Sequence, residues 1–160
     1  MPAFVVPRLT VALDQLQRKG INGSRILILG LTVALDQLQR KGINGSRILI
    51  LGLTYKQNID YFHESPALKL ISLIEKRGAH VDYHDPHIPI LPLTREYADV
   101  AGRISASFSA ASIAGYDAVV IATDHNAVDY SVLVAIARLI VDTRNICRRT
   151  AFDGPHIVGA

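Results

Sequence analysis

The chain has 160 residues, of which 49% are hydrophobic and 19% charged, and its net charge is +3 at neutral pH. This composition excludes a disordered chain and supplies enough apolar residues for a buried core. No apolar run approaches the ~18 residues of a membrane span, and no block of Lys and Arg indicates a nucleic-acid partner. Because the start of the chain lacks a signal-peptide pattern and its single cysteine excludes an internal disulfide, we expect a cytoplasmic protein.

The first third of the chain contains an identical tandem repeat. Residues 9–30 read LTVALDQLQRKGINGSRILILG, and residues 31–52 repeat them letter for letter. Solenoid proteins usually have three or more diverged copies, so two identical copies indicate a recent duplication or an engineered insertion instead. The second copy contains one acidic and three basic residues, so most of the net charge comes from the duplication.

Each copy is predicted to form one helix and one strand. In the second copy, apolar residues of 33–38 lie on one helical face, and Gly42 is placed to follow the helix as its C′ residue. Asn44-Gly45 predicts a turn. The continuous apolar run 48–51 then predicts a parallel strand that is buried on both faces.

The predicted strands of the two copies are expected to occupy different positions, because only the second is followed directly by the rest of the chain. The loop that should carry the site begins directly after the second copy, so 48–51 is predicted to be the central strand. The identical run 26–29 is then surplus. It could form an edge strand, pair with another molecule or stay unpaired, and an unpaired edge favours self-association.

Helices and strands alternate along the remaining sequence. Strands are predicted at 79–84, 104–107, 118–122 and 139–142, and helices at 67–77, 109–115 and 130–137. The segment 88–102 is predicted to be irregular. This alternation predicts a Rossmann-like α/β fold, an open parallel sheet with helices on both faces in three layers. We expect one domain over residues 1–148 and a loose tail over 149–160.

Two cations follow predicted strands at the edge where such sheets bind ligands, beyond the carboxyl ends of the strands. Lys56 comes shortly after the central strand and Arg144 directly after the last, so together they could hold a phosphate. The alternatives are a solvated surface lysine and a surface pair between Asp142 and Arg144. The glycine-rich dinucleotide turn is absent, so we do not expect NAD to bind here in the usual Rossmann manner.

Other polar groups at the strand ends indicate less specific roles. Asp85 could read ribose hydroxyls or, because Pro86 follows it, form a turn. The spacing of HDPH at 84–87 matches no strong zinc pattern, so we expect no metal site. The loop 123–126 could serve acid–base chemistry, but capping of the next helix is the favoured interpretation. Cys147 is interpreted as an ordinary thiol.

Several segments at these positions form one pattern. They read GLTYKQNID at 52–60, ESPA at 64–67, RGAHVDYHDP at 77–86, IATDH at 121–125 and VDTRN at 141–145. Together they resemble the C-terminal UDP-binding domain of the UDP-glucose/GDP-mannose dehydrogenase family, closest to its UDP-N-acetylglucosamine and UDP-N-acetylmannosamine 6-dehydrogenases.

The resemblance implies a domain that binds UDP or a UDP-sugar through Tyr55, Lys56 and Arg144. In the family, an N-terminal NAD domain and a central domain with the catalytic cysteine complete the enzyme, which oxidises the sugar C6 alcohol. The chain resembles neither of these domains. It is therefore expected to have no catalytic residue, to bind no cofactor itself and to be inactive alone. Residues 61–63 read YFH where the family has Asp-x-Arg, which implies weakened binding. The other hypothesis is a non-catalytic interaction or dimerisation module without a ligand site.

Overall fold

The computed structural model describes residues 21–53, 66–93 and 98–159. Its strands are β1 (Arg47–Leu51), β2 (His80–His84), β3 (Ala118–Ile121), β4 (Ile140–Asp142) and β5 (Ile157–Gly159). Its helices are α1 (Ile21–Gln39), α2 (Pro66–Lys76), α3 (Ala110–Ala114), α4 (Tyr130–Ile136) and α5 (Ile146–Arg149), with a 3₁₀ turn at Ala98–Val100.

The five described strands form one parallel sheet in the order β2-β1-β3-β4-β5. Alternate residues of β1 enter different core clusters, because successive side chains of a strand point to opposite faces. Ile48 and Ile50 pack in the cluster that contains residues of α1 and α2. Leu49 and Leu51 pack in the cluster that contains residues of α3, α4 and α5. The predicted α/β class, with a parallel sheet between two helical layers, is confirmed.

The second copy of the repeat supplies the central strand, as the sequence predicts. β1 pairs with β2 on one side and with β3 on the other, and Ile48, Leu49, Ile50 and Leu51 are all buried. A strand buried on both faces needs apolar residues at consecutive positions rather than alternate ones, and the ILIL run provides them. The turn predicted at Asn44-Gly45 also forms.

The strand predicted at 26–29 is wrong, because these residues belong to α1, a continuous helix of 19 residues. A short apolar run suits a buried strand or a buried helix segment equally, and here the strand position is already filled. As a helix, the run places Ile28 and Leu31 in the core with Leu35, while Leu29 is 53% exposed. This burial offsets the cost of about 1 kcal/mol for a glycine inside a helix.

The end of α1 also differs from the prediction, which gave Gly42 as the C′ residue. The helix ends at Gln39, and Arg40 takes the left-handed conformation with φ 53°. A helix end needs one such residue to turn the chain, and glycine is favoured there only because it adopts positive φ without strain. Arg40 therefore holds a backbone conformation that costs about 1–2 kcal/mol for a residue with a Cβ atom.

The helices predicted at 67–77, 109–115 and 130–137 are confirmed to within one or two residues at each end. The strand predicted at 104–107 is wrong, because only an isolated antiparallel bridge joins Ile90 to Ile104. Its neighbours make single backbone bonds instead, from Ser105 N to Pro89 O and from Ala106 N to Tyr83 O. The segment therefore lies along the outer edge of β2 without forming a ladder.

The loose tail expected from residue 149 is also wrong for the part of it that the structure describes. Ile157, Val158 and Gly159 form β5, which pairs in parallel with β4, and Val158 is buried. Three residues give too short a hydrophobic pattern for the sequence to indicate a strand. Their position on the open edge of β4, rather than any local preference, explains the strand.

Candidate functional site

The strand order reverses between β1 and β3, since the chain continues from β1 to β2 on one side and then crosses to β3 on the other. Parallel α/β sheets bind ligands at the carboxyl ends of the strands at such a point. Here the two backbones lie very close together. Gly52 has a φ of 84°, and a Cβ atom at this position would collide with the carbonyl oxygen of Thr123. Only glycine fits at this crossing.

Arg144 lies at this edge of the sheet, as the sequence predicts. Its Nε donates a hydrogen bond of 2.8 Å to the carbonyl oxygen of Ala122, directly after β3. Its side chain is exposed, and within residues 21–53, 66–93 and 98–159 no hydrogen bond or ion pair involves its two terminal nitrogens. The guanidinium is therefore oriented by one bond and retains donors for an anion.

The surface pair considered for Asp142 and Arg144 does not form. Asp142 is buried, and its carboxylate accepts hydrogen bonds from the backbone N–H groups of Arg144, Ile146 and Cys147. Asp142 thus caps the first turn of α5, because the first N–H groups of a helix have no partner within the helix. This leaves the Arg144 guanidinium without a carboxylate partner in the described part of the chain.

The other two predicted contacts, Tyr55 and Lys56, lie outside the described residues. Their distance from Arg144 therefore stays a prediction. The sheet does set the scale of that distance, because β3 alone separates β1 from β4. Neighbouring strands lie about 4.8 Å apart, so the ends of β1 and β4 lie about 10 Å apart. A lysine side chain that starts near one end can cover much of that distance.

A buried contact between two polar side chains, which sequence reasoning missed, lies next to Leu53 at the end of β1. Asp85 Oδ2 and His125 Nε2 are 3.2 Å apart, and both side chains are 0% exposed. Oδ2 also accepts the backbone N–H of Leu53 at 2.8 Å, and Oδ1 accepts that of His87 at 2.8 Å. One carboxylate therefore connects the ends of β1, β2 and β3.

The electrostatics of this pair favour a charged Asp85. Burial alone would raise the pKa of the Asp85 carboxyl, but hydrogen bonds from His125, Leu53 and His87 and the charge of His125 together hold the pKa below its usual value. The ring of His87 packs edge-on against that of His125, with centroids 5.0 Å apart. Because Asp85 is almost fully buried, we interpret it as a structural group and not as a ribose ligand.

The loop that contains His125 does not cap the following helix, contrary to the sequence interpretation. The N-cap of α4 is Asp129, whose carboxylate accepts the N–H groups of Ser131 and Val132. Asp124 instead forms an ion pair of 3.0 Å with Arg149. A contact between Asp85 and His125, which are 40 positions apart, leaves no local signal in the sequence. The only available hint was that both residues follow apolar runs.

The remaining candidates show no sign of catalytic activation. Cys147 is buried, and burial together with the charge of Asp142 raises the pKa of its thiol to about 12, which disfavours the nucleophilic thiolate. Among the described residues, no group of three or more His, Cys, Asp or Glu is placed to hold a metal ion. The helices in this part of the chain include none that is long and apolar enough to cross a membrane.

An open parallel sheet with an exposed arginine at the carboxyl ends of its strands is typical of a nucleotide-binding α/β domain. The match to a family model identifies it further. Residues 49–149 match the UDP binding domain of the UDP-glucose/GDP-mannose dehydrogenase family. The chain belongs to this family, and the resemblance seen in the sequence is confirmed. A comparison with curated proteins found no match.

Solved structures of related enzymes contain the same fold. A UDP-D-ManNAc dehydrogenase from Pyrococcus horikoshii is 28% identical, with a TM-score of 0.59 over 78% of this chain and 27% of that one. An NDP-N-acetyl-D-galactosaminuronic acid dehydrogenase from Methanosarcina mazei Go1 is 22% identical, with a TM-score of 0.62 over 87% of this chain and 29% of that one. A UDP-glucose dehydrogenase from Pyrobaculum islandicum is 23% identical, with a TM-score of 0.54 over 92% and 35%.

The last two likenesses show the fold alone. The chain spans about a third or less of the length of these three structures. It therefore corresponds to the UDP-binding domain of a UDP-sugar dehydrogenase and not to a whole enzyme of the family.

Proposed function

We propose that this chain binds the diphosphate of UDP or a UDP-sugar at the carboxyl edge of the sheet, with Arg144, Lys56 and Tyr55 as its contacts. The observation that carries the proposal is the position of Arg144, which is bonded to the end of β3 through Nε alone. Its two terminal nitrogens lie in one plane and have no partner among the described residues, so they suit the oxygens of a phosphate, which accept paired hydrogen bonds. The family match to a UDP binding domain supports the choice of nucleotide.

The Asp85–His125 pair acts in this proposal as a positioning device. The loop that carries Tyr55 and Lys56 begins at Leu53, whose N–H is held by the Asp85 carboxylate. Because that carboxylate is itself held by His125 from the end of β3, the loop starts from a fixed point beside the strand crossing. Neither side chain is exposed, so neither contacts the nucleotide directly.

The chain alone is proposed to be catalytically silent and to bind no NAD. Its one cysteine is buried with a raised pKa, so it offers no thiolate to an aldehyde or alcohol carbon. The first strand end lacks the glycine turn through which a dinucleotide pyrophosphate approaches the backbone. Oxidation of the sugar would then need the parts of a dehydrogenase to which this chain does not correspond.

Isothermal titration of UDP into the purified chain tests the proposal. We expect Arg144→Ala to weaken UDP binding by at least about tenfold, since a hydrogen bond to a charged group contributes about 1.5–3 kcal/mol. Arg138→Ala is the matched control, because Arg138 is an exposed arginine that precedes β4, at the opposite edge of the sheet. It should change the affinity by less than about twofold.

The alternative function, an interaction module without a ligand site, predicts no heat from UDP and no effect of either substitution. Equal losses in Arg144→Ala and Arg138→Ala would also contradict the proposed site, because they would indicate a general charge effect. The self-association expected from the sequence stays a prediction.

A further inference from the structure

The residues that hold the second copy in the central strand position are also present in the first copy. The second copy reaches the rest of the protein through Lys41, whose Nζ lies 3.0 Å from Asp117, and through Arg47. The Arg47 N–H donates to Asp117 at 2.8 Å, and its guanidinium lies 5.1 Å from the centre of the Tyr116 ring. Each of these residues has an identical counterpart 22 positions earlier, Lys19 and Arg25.

We infer that the two copies exchange. In the alternative arrangement, residues 25–29 form the central strand, and residues 31–52 become an insertion in the link between that strand and α2. Asp117 and Tyr116 receive Lys19 and Arg25 in place of Lys41 and Arg47. The four strand residues that are buried in β1 are replaced by the same four residues, ILIL, so the packing of the sheet is unchanged.

The second half of the helix that precedes the strand is conserved in this exchange. Its buried positions Leu31, Ala34 and Leu35 have the identical counterparts Leu9, Ala12 and Leu13. Two buried positions would receive different residues: Ile28 would be replaced by Val6, which is smaller by one methylene group, and Gly30 by the larger and charged Arg8. The alternative arrangement therefore retains most of the buried positions, as an exchange between two folded states requires, although one of them receives an arginine.

Four differences make the observed arrangement the major one, and the largest is that Arg8 would take the place of the buried Gly30. The link between the central strand and α2 is shorter by 22 residues, although loop entropy grows only slowly with length. Ile28 fills its site better than Val6 does. In addition, Pro7 takes the place of Leu29, so the alternative helix would start there and be shorter than the 19 residues of α1. The alternative is a minor state in equilibrium with the observed one.

The exchange would regulate the nucleotide site, a consequence that rests on the proposed function. In the alternative arrangement, 22 additional residues separate the central strand from Tyr55 and Lys56, and Leu31 takes the place of Leu53 beside Asp85. The loop then no longer starts from the strand crossing. UDP would bind only the observed arrangement and would shift the population towards it.

Proline substitution in the central strand tests the exchange in the full chain. Ile50→Pro removes the second copy as a strand, because proline lacks the N–H of a central strand. The exchange predicts that this variant still unfolds cooperatively by circular dichroism, with the first copy in its place. The control is Val120→Pro, since Val120 is the register partner of Ile50, equally buried, and has no duplicate. It should be unfolded, as should the double variant Ile28→Pro/Ile50→Pro.

Thiol labelling reports directly which copy is in the sheet. Cys147 is buried, so a cysteine introduced by Leu29→Cys should be the reactive thiol, because Leu29 is 53% exposed in α1. When Ile50→Pro is added, position 29 should enter the sheet and its labelling should slow by more than about tenfold. Unchanged labelling in the combined variant overturns the exchange, and so does an unfolded Ile50→Pro. Both conclusions hold even if Val120→Pro is folded.

A chain without residues 31–52 separates this inference from the proposed function. Deleting either copy gives the same protein, in which a single copy must supply the strand. We expect it to bind UDP at least as tightly as the full chain, and Ile50→Pro to bind more weakly than both. If neither the full chain nor the shortened one binds UDP, the proposed function fails, while the labelling result still decides the exchange.

Discussion

Two regions of this molecule have one sequence and two structures. Residues 25–29 and residues 47–51 both read RILIL, yet the first run lies inside α1 and the second is β1. The leucine that ends the run is 53% exposed at position 29 and 1% exposed at position 51. The glycine that follows continues the helix at position 30 but has a φ of 84° at position 52. The local sequence is therefore compatible with both structures, and the surroundings select between them.

The residues that select between the two structures lie beyond the end of each copy. After each copy the chain continues with Leu-Thr, and the sequences first differ at Val33 and Tyr55. After the first copy, VALDQLQ extends a helical pattern with an apolar face, so the preceding run is incorporated in the helix. After the second copy, the chain leaves the sheet and the N–H of Leu53 is bound by Asp85. The difference between the copies teaches that neighbouring segments can decide the structure of a short apolar run.

Alanine substitution of the matched leucines has the largest expected effect on this comparison. Leu29→Ala alone should change the free energy of unfolding by less than about 0.5 kcal/mol, because the side chain is exposed. The double variant Leu29→Ala/Leu51→Ala should lose about 2–5 kcal/mol, the usual cost of removing a buried leucine, because neither copy can then fill the site. Leu51→Ala alone should lie between these values. Urea unfolding of the three variants measures the differences.

The two sets of outcomes are distinct. With exchange, the double variant is less stable than the sum of the single effects predicts, because the copies substitute for each other. Without exchange, Leu51→Ala alone carries the full loss and Leu29→Ala adds nothing to it. Additive effects of the two substitutions on the free energy of unfolding would show that the two copies do not exchange and that the helix and the strand are fixed.

Asp85→Asn should have a smaller effect, about 2 kcal/mol at neutral pH, and it acts on the contact that distinguishes the two copies. The amide can still accept the Leu53 N–H but loses its charge beside His125. The substitution thereby weakens the contact that holds the chain where it leaves the sheet after the second copy. The corresponding Leu31, inside α1, has no such contact with Asp85. His125→Gln should have a similar effect if the pair acts as a unit.

The pH dependence of that difference follows from the lowered pKa of Asp85. A carboxyl group whose pKa is lower in the folded state stabilises the protein above its unfolded pKa, near 3.9, and this contribution is lost as the pH falls through the folded value. The stability of the wild type should therefore approach that of Asp85→Asn below about pH 4. Urea unfolding at pH 7 and at successively lower pH measures this. A difference that stays constant in acid would mean that the charge of Asp85 does not contribute.

Much of the fold could be predicted from the sequence because its strands are continuous apolar runs between helices of clear periodicity. β1, β3 and β4 could be found in this way, and so could α2, α3 and α4. β5 could not, since Ile157-Val158-Gly159 is too short to show a pattern and forms a strand through its position beside β4. The helical conformation of residues 26–29 was missed because the identical run in the second copy is a strand. The local sequence of the two runs is the same, so it cannot predict different structures for them.

The candidate site also contains residues that could be predicted from the sequence and residues that could not. Arg144 could be predicted, because any residue directly after a parallel strand lies at the carboxyl edge of the sheet. The contact between Asp85 and His125 could not, because it joins two loops that are distant in sequence and depends on how closely β2, β1 and β3 end together. The cap of α4 was assigned to the loop 123–126, whereas Asp129 provides it, because several polar residues precede the helix and only geometry separates them.

The smallest expected effect concerns the turn between the two structures. Arg40 ends α1 with a φ of 53°, and the strand of the second copy begins seven residues later, at Arg47. Arg40→Gly should stabilise the protein by about 0.5–1 kcal/mol, because glycine adopts positive φ without strain and loses only part of that gain to its greater freedom when unfolded. Arg40→Ala is the control, since it removes the same side chain but keeps the Cβ atom. Thermal unfolding should give a higher Tm for the glycine variant only. An equal rise in the Tm of both variants would mean that the gain comes from the lost charge. A rise for the glycine variant alone would show that the backbone is strained at the end of α1 when the second copy is in the sheet.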